Sequence, residues 1–159
     1  MKKSNTYSAF SFDFQSMKST ASASDYTLLE QIGKGAYGTV FKAQVKATNQ
    51  IVAIKRIQLE QDWLPLLSEI NMVIDLTDAT IINYYNYFFN GNELWLVMEY
   101  CDGGSLSDIM EYIKRPLNEQ EISALCRGVL KGLAYIHSKN RIHRDIKAAN
   151  LLLTSNGDV

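Results

Sequence analysis

Three side chains in the stretch HRDIKAAN, residues 143–150, are of the types that a phosphoryl-transfer site needs. Asp145 can accept the proton of a hydroxyl nucleophile, and Lys147 can neutralise charge that develops on the transferred group. Asn150 can offer its amide oxygen to a magnesium ion. Because phosphoryl transfer depends on positioning and charge neutralisation more than on covalent steps, this spacing predicts a catalytic loop.

A second segment with chemical character is GKGAYGTV, residues 33–40, where Gly33, Gly35 and Gly38 follow a G-x-G-x-x-G pattern. A dinucleotide-binding fold places a helix directly after such a loop, whereas here β-branched residues open a strand. A glycine-rich turn between two strands can instead lie over nucleotide phosphates, because missing side chains let backbone N–H groups approach the oxygens. A plain glycine turn is the alternative for this motif taken alone.

Two charged residues fall on faces that are otherwise apolar. Lys55 lies in IVAIKRI, residues 51–57, on the face that carries the alternating apolar residues. A helix is predicted to begin near Asp62. Its inward stripe is predicted to be Leu66, Glu69, Val73 and Leu76. Since a buried ammonium is costly without a partner, the pattern favours a Lys55–Glu69 ion pair that leaves the lysine able to reach phosphates. A solvent-exposed lysine and glutamate are the alternative.

The elements that must position these groups are strands in the first part of the chain and helices afterwards, which predicts an α+β fold. In TVFKAQV, residues 39–45, alternation puts Val40 as an apolar exception on the polar face. The strongest helix is predicted over residues 118–138, with Asn118 as its cap and Glu121 three residues on.

Hairpin signals and composition set further expectations. The dipeptide Asn-Gly at residues 90–91 and at residues 156–157 predicts two-residue primed turns. Lys plus Arg number 16 and Asp plus Glu number 17, so no basic field points to nucleic acid. The two cysteines have no metal-ligand spacing, and no apolar run is long enough for a membrane span or a signal peptide. The expectation is a cytoplasmic protein with a flexible Ser-rich tail over residues 1–24.

The motifs GKGAYGTV, VAIK and HRDIKAAN, in that order, resemble those of a eukaryotic protein kinase, and the resemblance covers residues 25–159. It implies a bilobal fold with an N-terminal antiparallel sheet and one helix over residues 25–97. A hinge over residues 98–104 and the first, mostly helical part of a C-terminal lobe over residues 105–159 would follow. Lys147 resembles the serine/threonine class. The segment LWLVMEYCDGGSLSDIM resembles the sterile-twenty group, especially Hippo-type kinases.

The resemblance implies ATP and Mg²⁺ as ligands and assigns the walls of an adenine slot. Ile32, Val40 and Ala53 would form the roof, and Leu152 would form the floor. Met98 would be the gatekeeper at the back of the slot. An apolar residue at position 40, exceptional for a strand exposed to water, would then be a ligand contact.

The same resemblance assigns the remaining contacts of the nucleotide and its metal. Backbone groups of Glu99 and Cys101 would bind adenine, and Ser105 or Asp108 would approach the ribose. The implied phosphate- and metal-binding residues are Gly33, Lys34, Gly35, Gly38, Lys55 and Asn150, with Asn150 as the metal ligand. Asp145, Lys147, Lys55 and Glu69 would act in catalysis on a protein substrate that bears serine or threonine.

Two departures from the kinase pattern qualify these expectations. Kinases often have a Pro-containing turn before the strand at INYYNYF, whereas this chain has TDATIIN, residues 77–83. The sequence also stops after NGDV, before the D-F-G metal site and the activation segment. The expectation is an incomplete kinase domain that transfers little phosphate by itself. The alternative is a nucleotide-binding or interaction module without phosphotransfer, for which Asp145 would have no physical purpose.

Overall fold

The computed structural model describes residues 21–35, 38–59, 66, 70 and 74–159. Its strands are β1 (Tyr26–Gly35), β2 (Gly38–Val45), β3 (Ile51–Gln58), β4 (Tyr84–Asn90), β5 (Glu93–Met98), β6 (Gly104–Ser105) and β7 (Leu152–Leu153). Its helices are α1 (Leu106–Ile113) and α2 (Glu119–Ser138), with short 3₁₀ turns at Ala23–Asp25 and Ala148–Asn150. The predicted α+β class is confirmed, because an antiparallel sheet is followed by helices.

The main sheet has five antiparallel strands in the order β1-β2-β3-β5-β4, and it curls. Strands β1 and β4 stand at opposite edges, yet Tyr26 and Phe88 stack with ring centroids 5.7 Å apart. The first face of the sheet therefore closes on itself around a buried cluster. That cluster is Ala43, Val52, Ile54, Phe88, Trp95 and Val97. Ala21 and Ala23 pack against it, so packing begins inside the segment predicted as a tail, whose residues 1–20 lie outside the described residues.

The second face carries the other set of alternating residues. Directly opposite residues of an antiparallel pair share a face, and Lys55 lies opposite both Val40 and Leu96. Part of this face is covered by residues in helical conformation, namely Leu66, Ile70 and Ile74, which join Ile57, Leu94 and Leu96 in a second cluster. These helical contacts are four residues apart, whereas the predicted stripe ran through Glu69 and Val73, which lie outside the described residues.

Both predicted Asn-Gly turns differ in detail from the structure. Asn90 pairs with Glu93, so the two loop residues are Gly91 and Asn92, with φ +60° at the glycine. Glycine in the first loop position is what a II′ turn requires. The hairpin is confirmed, but its turn starts one residue later than predicted.

The second turn spans Thr154 to Gly157 and has only one residue with positive φ, Gly157. The Gly157 N–H donates to the Thr154 carbonyl at 2.9 Å, and the Thr154 N–H donates to the Asp158 carbonyl at 3.0 Å. This is a three-residue turn with a glycine bulge rather than a two-residue primed turn. Strand β7, before this turn, pairs with β6, so it has a sheet partner that the sequence did not indicate.

Helix α2 begins as its sequence predicts. The Asn118 side chain accepts hydrogen bonds from the N–H groups of Gln120 and Glu121, and the Glu121 carboxylate accepts from the Asn118 N–H. Among the apolar residues of α2, Ile136 is buried, whereas Leu130 is 65 % exposed. Neither helix among the described residues is long and apolar enough to cross a bilayer.

The TDATIIN loop, which lacks the proline that kinases often have there, is shaped by an aspartate. The Asp78 carboxylate accepts from the N–H and hydroxyl of Thr80, at 3.0 and 2.6 Å, which closes a local turn. The loop rests on α2, because the Thr77 N–H donates to the Tyr135 hydroxyl at 3.0 Å. Gly132 allows this approach, since a Cβ there would lie 3.1 Å from the Thr80 hydroxyl.

Candidate active site

The glycine-rich segment forms the ends of β1 and β2, and its glycines are used in different ways. Gly35 pairs with Gly38, and Gly33 pairs with Val40. Gly38 has φ +125°, and a Cβ there would lie 2.1 Å from the Arg56 carbonyl oxygen. A Cβ on Gly35 would meet nothing within 4 Å. Gly38 is thus required by the fold, whereas the space beside Gly35 is open.

Two of the three predicted roof residues, Val40 and Ala53, lie on the second face of the sheet. Ala53 is directly opposite Met98 on β5, and Val40 is directly opposite Lys55 on β3. Ala53 and Met98 are buried, and Val40 is half-buried. Ile32, near the end of β1, is 44 % exposed. An apolar surface therefore lies next to a lysine, and its use as a nucleotide slot stays a prediction.

Lys55 is half-buried on this face. Burial lowers the pKa of its ammonium group, because removal from water disfavours the charged form. The lysine sits beside the apolar roof and in the same sheet as the glycine-rich turn. Glu69, its predicted partner, lies outside the described residues, so the ion pair stays a prediction.

The hinge after β5 is held by a polar contact that the sequence did not reveal. The Glu99 N–H donates to the Asn83 carbonyl at 2.9 Å, and the Asn83 side-chain amide donates to the Glu99 carboxylate at 2.8 Å. The Cys101 carbonyl accepts from the Gly104 N–H at 3.3 Å. Burial, followed by the charges of Glu99 and Asp102, raises the pKa of the Cys101 thiol. These contacts fix the backbone that is predicted to bind adenine.

The predicted floor is the small β6–β7 sheet, in which Leu152 lies directly opposite Ser105. A Cβ at Gly103 would lie 2.7 Å from the Leu153 carbonyl oxygen, so only glycine permits this approach. The Ser105 hydroxyl donates to the Asp108 carboxylate at 2.6 Å and accepts from the Asp108 N–H at 3.2 Å. Both residues therefore cap α1, and their contact with a ribose stays a prediction.

The three residues of the predicted catalytic loop meet at one carboxylate. Lys147 Nζ lies 2.9 Å from Asp145 Oδ2. Asn150 Nδ2 donates to the same oxygen and to the Asp145 carbonyl, both at 2.8 Å. The hydrogen bond from Lys147, and then that from Asn150, lower the pKa of Asp145. The side chains of Asp145 and Lys147 are 61 % and 55 % exposed, so the group is open to a substrate.

The local backbone determines how the side chains of Asp145 and Asn150 are oriented. The Asp145 N–H donates to His143 Nδ1 at 3.3 Å, which gives His143 a structural contact. The 3₁₀ turn Ala148–Asn150 brings the amide back toward Asp145. Because both Asp145 atoms facing Asn150 are acceptors, the amide nitrogen must face them, and the amide oxygen points elsewhere. That oxygen is of the kind that magnesium prefers.

Comparison with known families agrees with this fold. The family model for the protein kinase domain matches residues 26–159. The chain belongs to the protein kinase family. Kinases of this family generally use ATP and Mg²⁺ and act on proteins. In the part of this kinase that the structure describes, no three His, Cys, Asp or Glu residues are grouped to hold a metal ion. Asn150, the one metal ligand predicted from the sequence, lies within the described residues.

Sequence reasoning did not single out two residues beside this kinase site. Asn83 holds the hinge carboxylate, and Lys42 contacts both Glu30 on β1 and Tyr100 in the hinge. Alternation assigned Lys42 to the polar face of its strand, so the sequence pattern indicated an ordinary solvent-exposed lysine. The register of β1 that brings Glu30 to it depends on a bulge, for which the sequence carries no local signal.

Proposed function

We propose that this protein is a serine/threonine kinase of the sterile-twenty group that transfers the γ-phosphoryl group of Mg-ATP to hydroxyls of proteins. The observation that carries the proposal is the meeting of Lys147 and Asn150 at the Asp145 carboxylate. A carboxylate, an ammonium group and an amide oxygen are the groups that phosphoryl transfer to a hydroxyl uses. The three residues of the predicted catalytic loop are thus near one another in space.

Asp145 acts in this proposal as the acceptor of the substrate hydroxyl's proton. Its lowered pKa favours the ionised form of the carboxylate, which is the form that can accept a proton. Lys147 stands beside the carboxylate and can neutralise charge on the phosphoryl group as it moves. Asn150 would hold Mg²⁺ by its amide oxygen. When bound, the metal supplies charge neutralisation to the phosphates.

The second face of the sheet binds the nucleotide in this proposal. Val40 and Ala53 contact adenine from above, with Leu152 below, and Met98 closes the back. Lys55 reaches the phosphates from the same face. Its half-buried position supports this role, because an ammonium group partly removed from water attracts a phosphate more strongly than an exposed one does.

The choice of serine and threonine rests on Lys147, which the tyrosine kinase class usually replaces within this loop. The assignment to the sterile-twenty group rests on the resemblance of LWLVMEYCDGGSLSDIM and HRDIKAANLLL. A cytoplasmic location is part of the proposal, and it rests on the two cysteines without disulfide spacing and on the apolar pattern.

For a polypeptide of residues 1–159 we propose that ATP binding exceeds phosphate transfer. The roof, Lys55 and the hinge, which together are proposed to bind the nucleotide, all lie in the sheet or in the segment that follows β5. Asn150 is the one metal ligand proposed for this polypeptide. Since the metal is held from two sides in kinases, a single amide oxygen supports binding better than transfer. A module that binds nucleotide and transfers nothing is the alternative.

The test is phosphate incorporation from Mg-ATP into three peptides that differ only in bearing serine, threonine or tyrosine. Residues 1–159 are assayed beside any longer polypeptide that the coding sequence encodes past Val159. We expect phosphate on the serine and threonine peptides from the longer polypeptide, and little on tyrosine. Equal transfer to tyrosine would contradict the class, and ATP binding without transfer by the longer polypeptide would support the alternative.

A matched pair of variants assigns Lys55. Lys55→Met should weaken ATP binding and not adenosine binding, because adenosine has no phosphates for the lysine to reach. Lys46→Met is the control, since Lys46 is exposed, follows the end of β2 that is farther from the glycine-rich segment, and donates to the Ser24 carbonyl at 2.7 Å. Full ATP affinity in Lys55→Met would contradict the phosphate role.

A further inference from the structure

Strand β1 contains a bulge beside the roof of the proposed nucleotide slot. Leu28 lies opposite Ala43, and Gln31 lies opposite Phe41, so two residues of β1 face the single residue Lys42. A bulge of this kind bends a strand and changes the direction of a side chain. Here it brings Glu30 Oε1 to 3.0 Å from Lys42 Nζ.

The ammonium group of Lys42 also reaches the hinge. It lies 5.2 Å from the ring centroid of Tyr100, in position for a cation–π contact. The hydrogen bond that Lys42 donates to Glu30, and then the charges of Glu30 and Tyr100, raise the pKa of Lys42, and the same hydrogen bond lowers the pKa of Glu30. One cation therefore contacts the first strand of the roof and the hinge at the same time.

The position of Lys42 in the sheet shows at which end of the proposed slot its contact with Tyr100 lies. Lys42 lies directly opposite Ala53, which in turn lies opposite Met98, so the three residues form a row across the second face. Lys42 comes four positions after Gly38, which corresponds to roughly 13 Å along the strand. The contact with the hinge is therefore at the base end of the slot and remote from the glycine-rich turn.

We propose that Lys42 is a positioning residue that clamps the roof of the nucleotide slot to the hinge through Glu30 and Tyr100. The inference rests on the proposed function, since it assumes that the slot binds adenine. The clamp holds the roof and the hinge at a fixed spacing before the ligand arrives. A binding site that is already formed loses less conformational freedom when it binds. Lys42 itself contacts no phosphate.

This mechanism predicts a loss of affinity that does not depend on phosphate. Lys42→Ala should weaken binding of adenosine and of ATP by the same factor, roughly two- to fivefold, as expected when one cation–π contact is lost. Lys55→Met should weaken ATP binding alone. Lys46→Ala, four residues further along the chain and with its ammonium group on the Ser24 carbonyl, should change neither affinity.

Tyr100 variants separate the ring from its hydroxyl. Tyr100→Phe keeps the ring and should keep most of the adenosine affinity, whereas Tyr100→Leu should lose as much as Lys42→Ala. In the double variant Lys42→Ala/Tyr100→Leu the loss should be no greater than in either single variant, because both remove the same contact. Additive losses in the double variant would overturn the clamp.

Hydrogen exchange of the hinge amides tests the clamp in the absence of nucleotide. The N–H groups of Glu99, Gly103 and Gly104 are hydrogen-bonded around the hinge, and they should exchange faster in Lys42→Ala than in Lys46→Ala. Unchanged exchange at these amides would overturn the clamp. A loss of ATP affinity with unchanged adenosine affinity would also overturn it, because Lys42 would then act on phosphates. If the unaltered chain bound neither ligand, the proposed nucleotide site would fail, and exchange would still decide the clamp.

Discussion

The two glycines that pair at the β1–β2 turn, Gly35 and Gly38, should respond in opposite ways to the same substitution. Gly38→Ala places a methyl group 2.1 Å from the Arg56 carbonyl oxygen, on a backbone with φ +125°. Gly35→Ala places it where nothing lies within 4 Å. Both residues belong to one motif, so the pair compares a glycine required by the fold with one that leaves space for a ligand.

The expected loss in the free energy of unfolding for Gly38→Ala follows from two contributions. An L residue held at a backbone conformation so rarely populated costs on the order of 1–3 kcal/mol. Strand β2 must also move by about 1 Å to relieve the clash, which weakens one adjoining hydrogen bond to β3 by about 1 kcal/mol. The sum is about 2–4 kcal/mol, a large part of the roughly 5–15 kcal/mol that holds a domain folded.

Urea unfolding of Gly38→Ala, Gly35→Ala and the unaltered chain measures the difference. Gly35→Ala should change the free energy of unfolding by less than about 1 kcal/mol, because alanine adopts its backbone conformation without strain. It should nevertheless weaken ATP binding, since the added methyl group occupies the space proposed for phosphate. Equal destabilisation by the two substitutions, or normal stability of Gly38→Ala, would refute this reasoning.

Three further perturbations test other contacts. Glu93→Gln should lower the free energy of unfolding by about 1–2 kcal/mol in urea melts, because it weakens the two charge-assisted hydrogen bonds from Arg56; an unchanged midpoint would contradict this. Glu121 has its pKa lowered from 4.5 to about 2, first by its arginine partner, so its stabilising effect is present above pH 4.5 and is lost toward about pH 2. The melting-temperature difference between the unaltered chain and Glu121→Gln should shrink over that window, and a constant difference would count against the ion pair. In Lys147→Met the pKa of Asp145 should rise, as followed by carboxyl NMR titration, and an unchanged value would show that the 2.9 Å contact contributes little in solution.

Features that depend on neighbours in sequence could be predicted from the sequence. Asn118 and Glu121 form the cap of α2 because a capping box needs only residues three positions apart. Strand alternation marked Val40 and Lys55 as exceptions on the faces of their own strands for the same reason, since side chains alternate wherever the backbone is extended. That the two residues lie directly opposite each other depends on the register between β2 and β3, which alternation does not give. The catalytic-loop residues are close in sequence, and the 3₁₀ turn brings them together in space.

Features that depend on distant contacts could not be predicted. Strand β7 pairs with β6, which lies far from it in sequence, and the local sequence of neither strand predicts this pairing. The turn at Asn156 takes a bulged form because Thr154 and Asp158 hydrogen-bond across it, whereas the dipeptide alone favours a primed turn. The clamp formed by Lys42 requires the β1 bulge, which local propensity does not indicate.

The central claim is that Asp145 serves phosphoryl transfer and not nucleotide binding. The most direct measurement compares single-turnover phosphate transfer to a serine peptide with ATP affinity, in Asp145→Asn and in the unaltered protein, using the longest polypeptide that the coding sequence encodes. Loss of the proton acceptor should slow transfer by about a hundredfold or more while ATP affinity stays the same. Unchanged transfer in Asp145→Asn, or a loss of ATP affinity equal to the loss of transfer, would contradict the account.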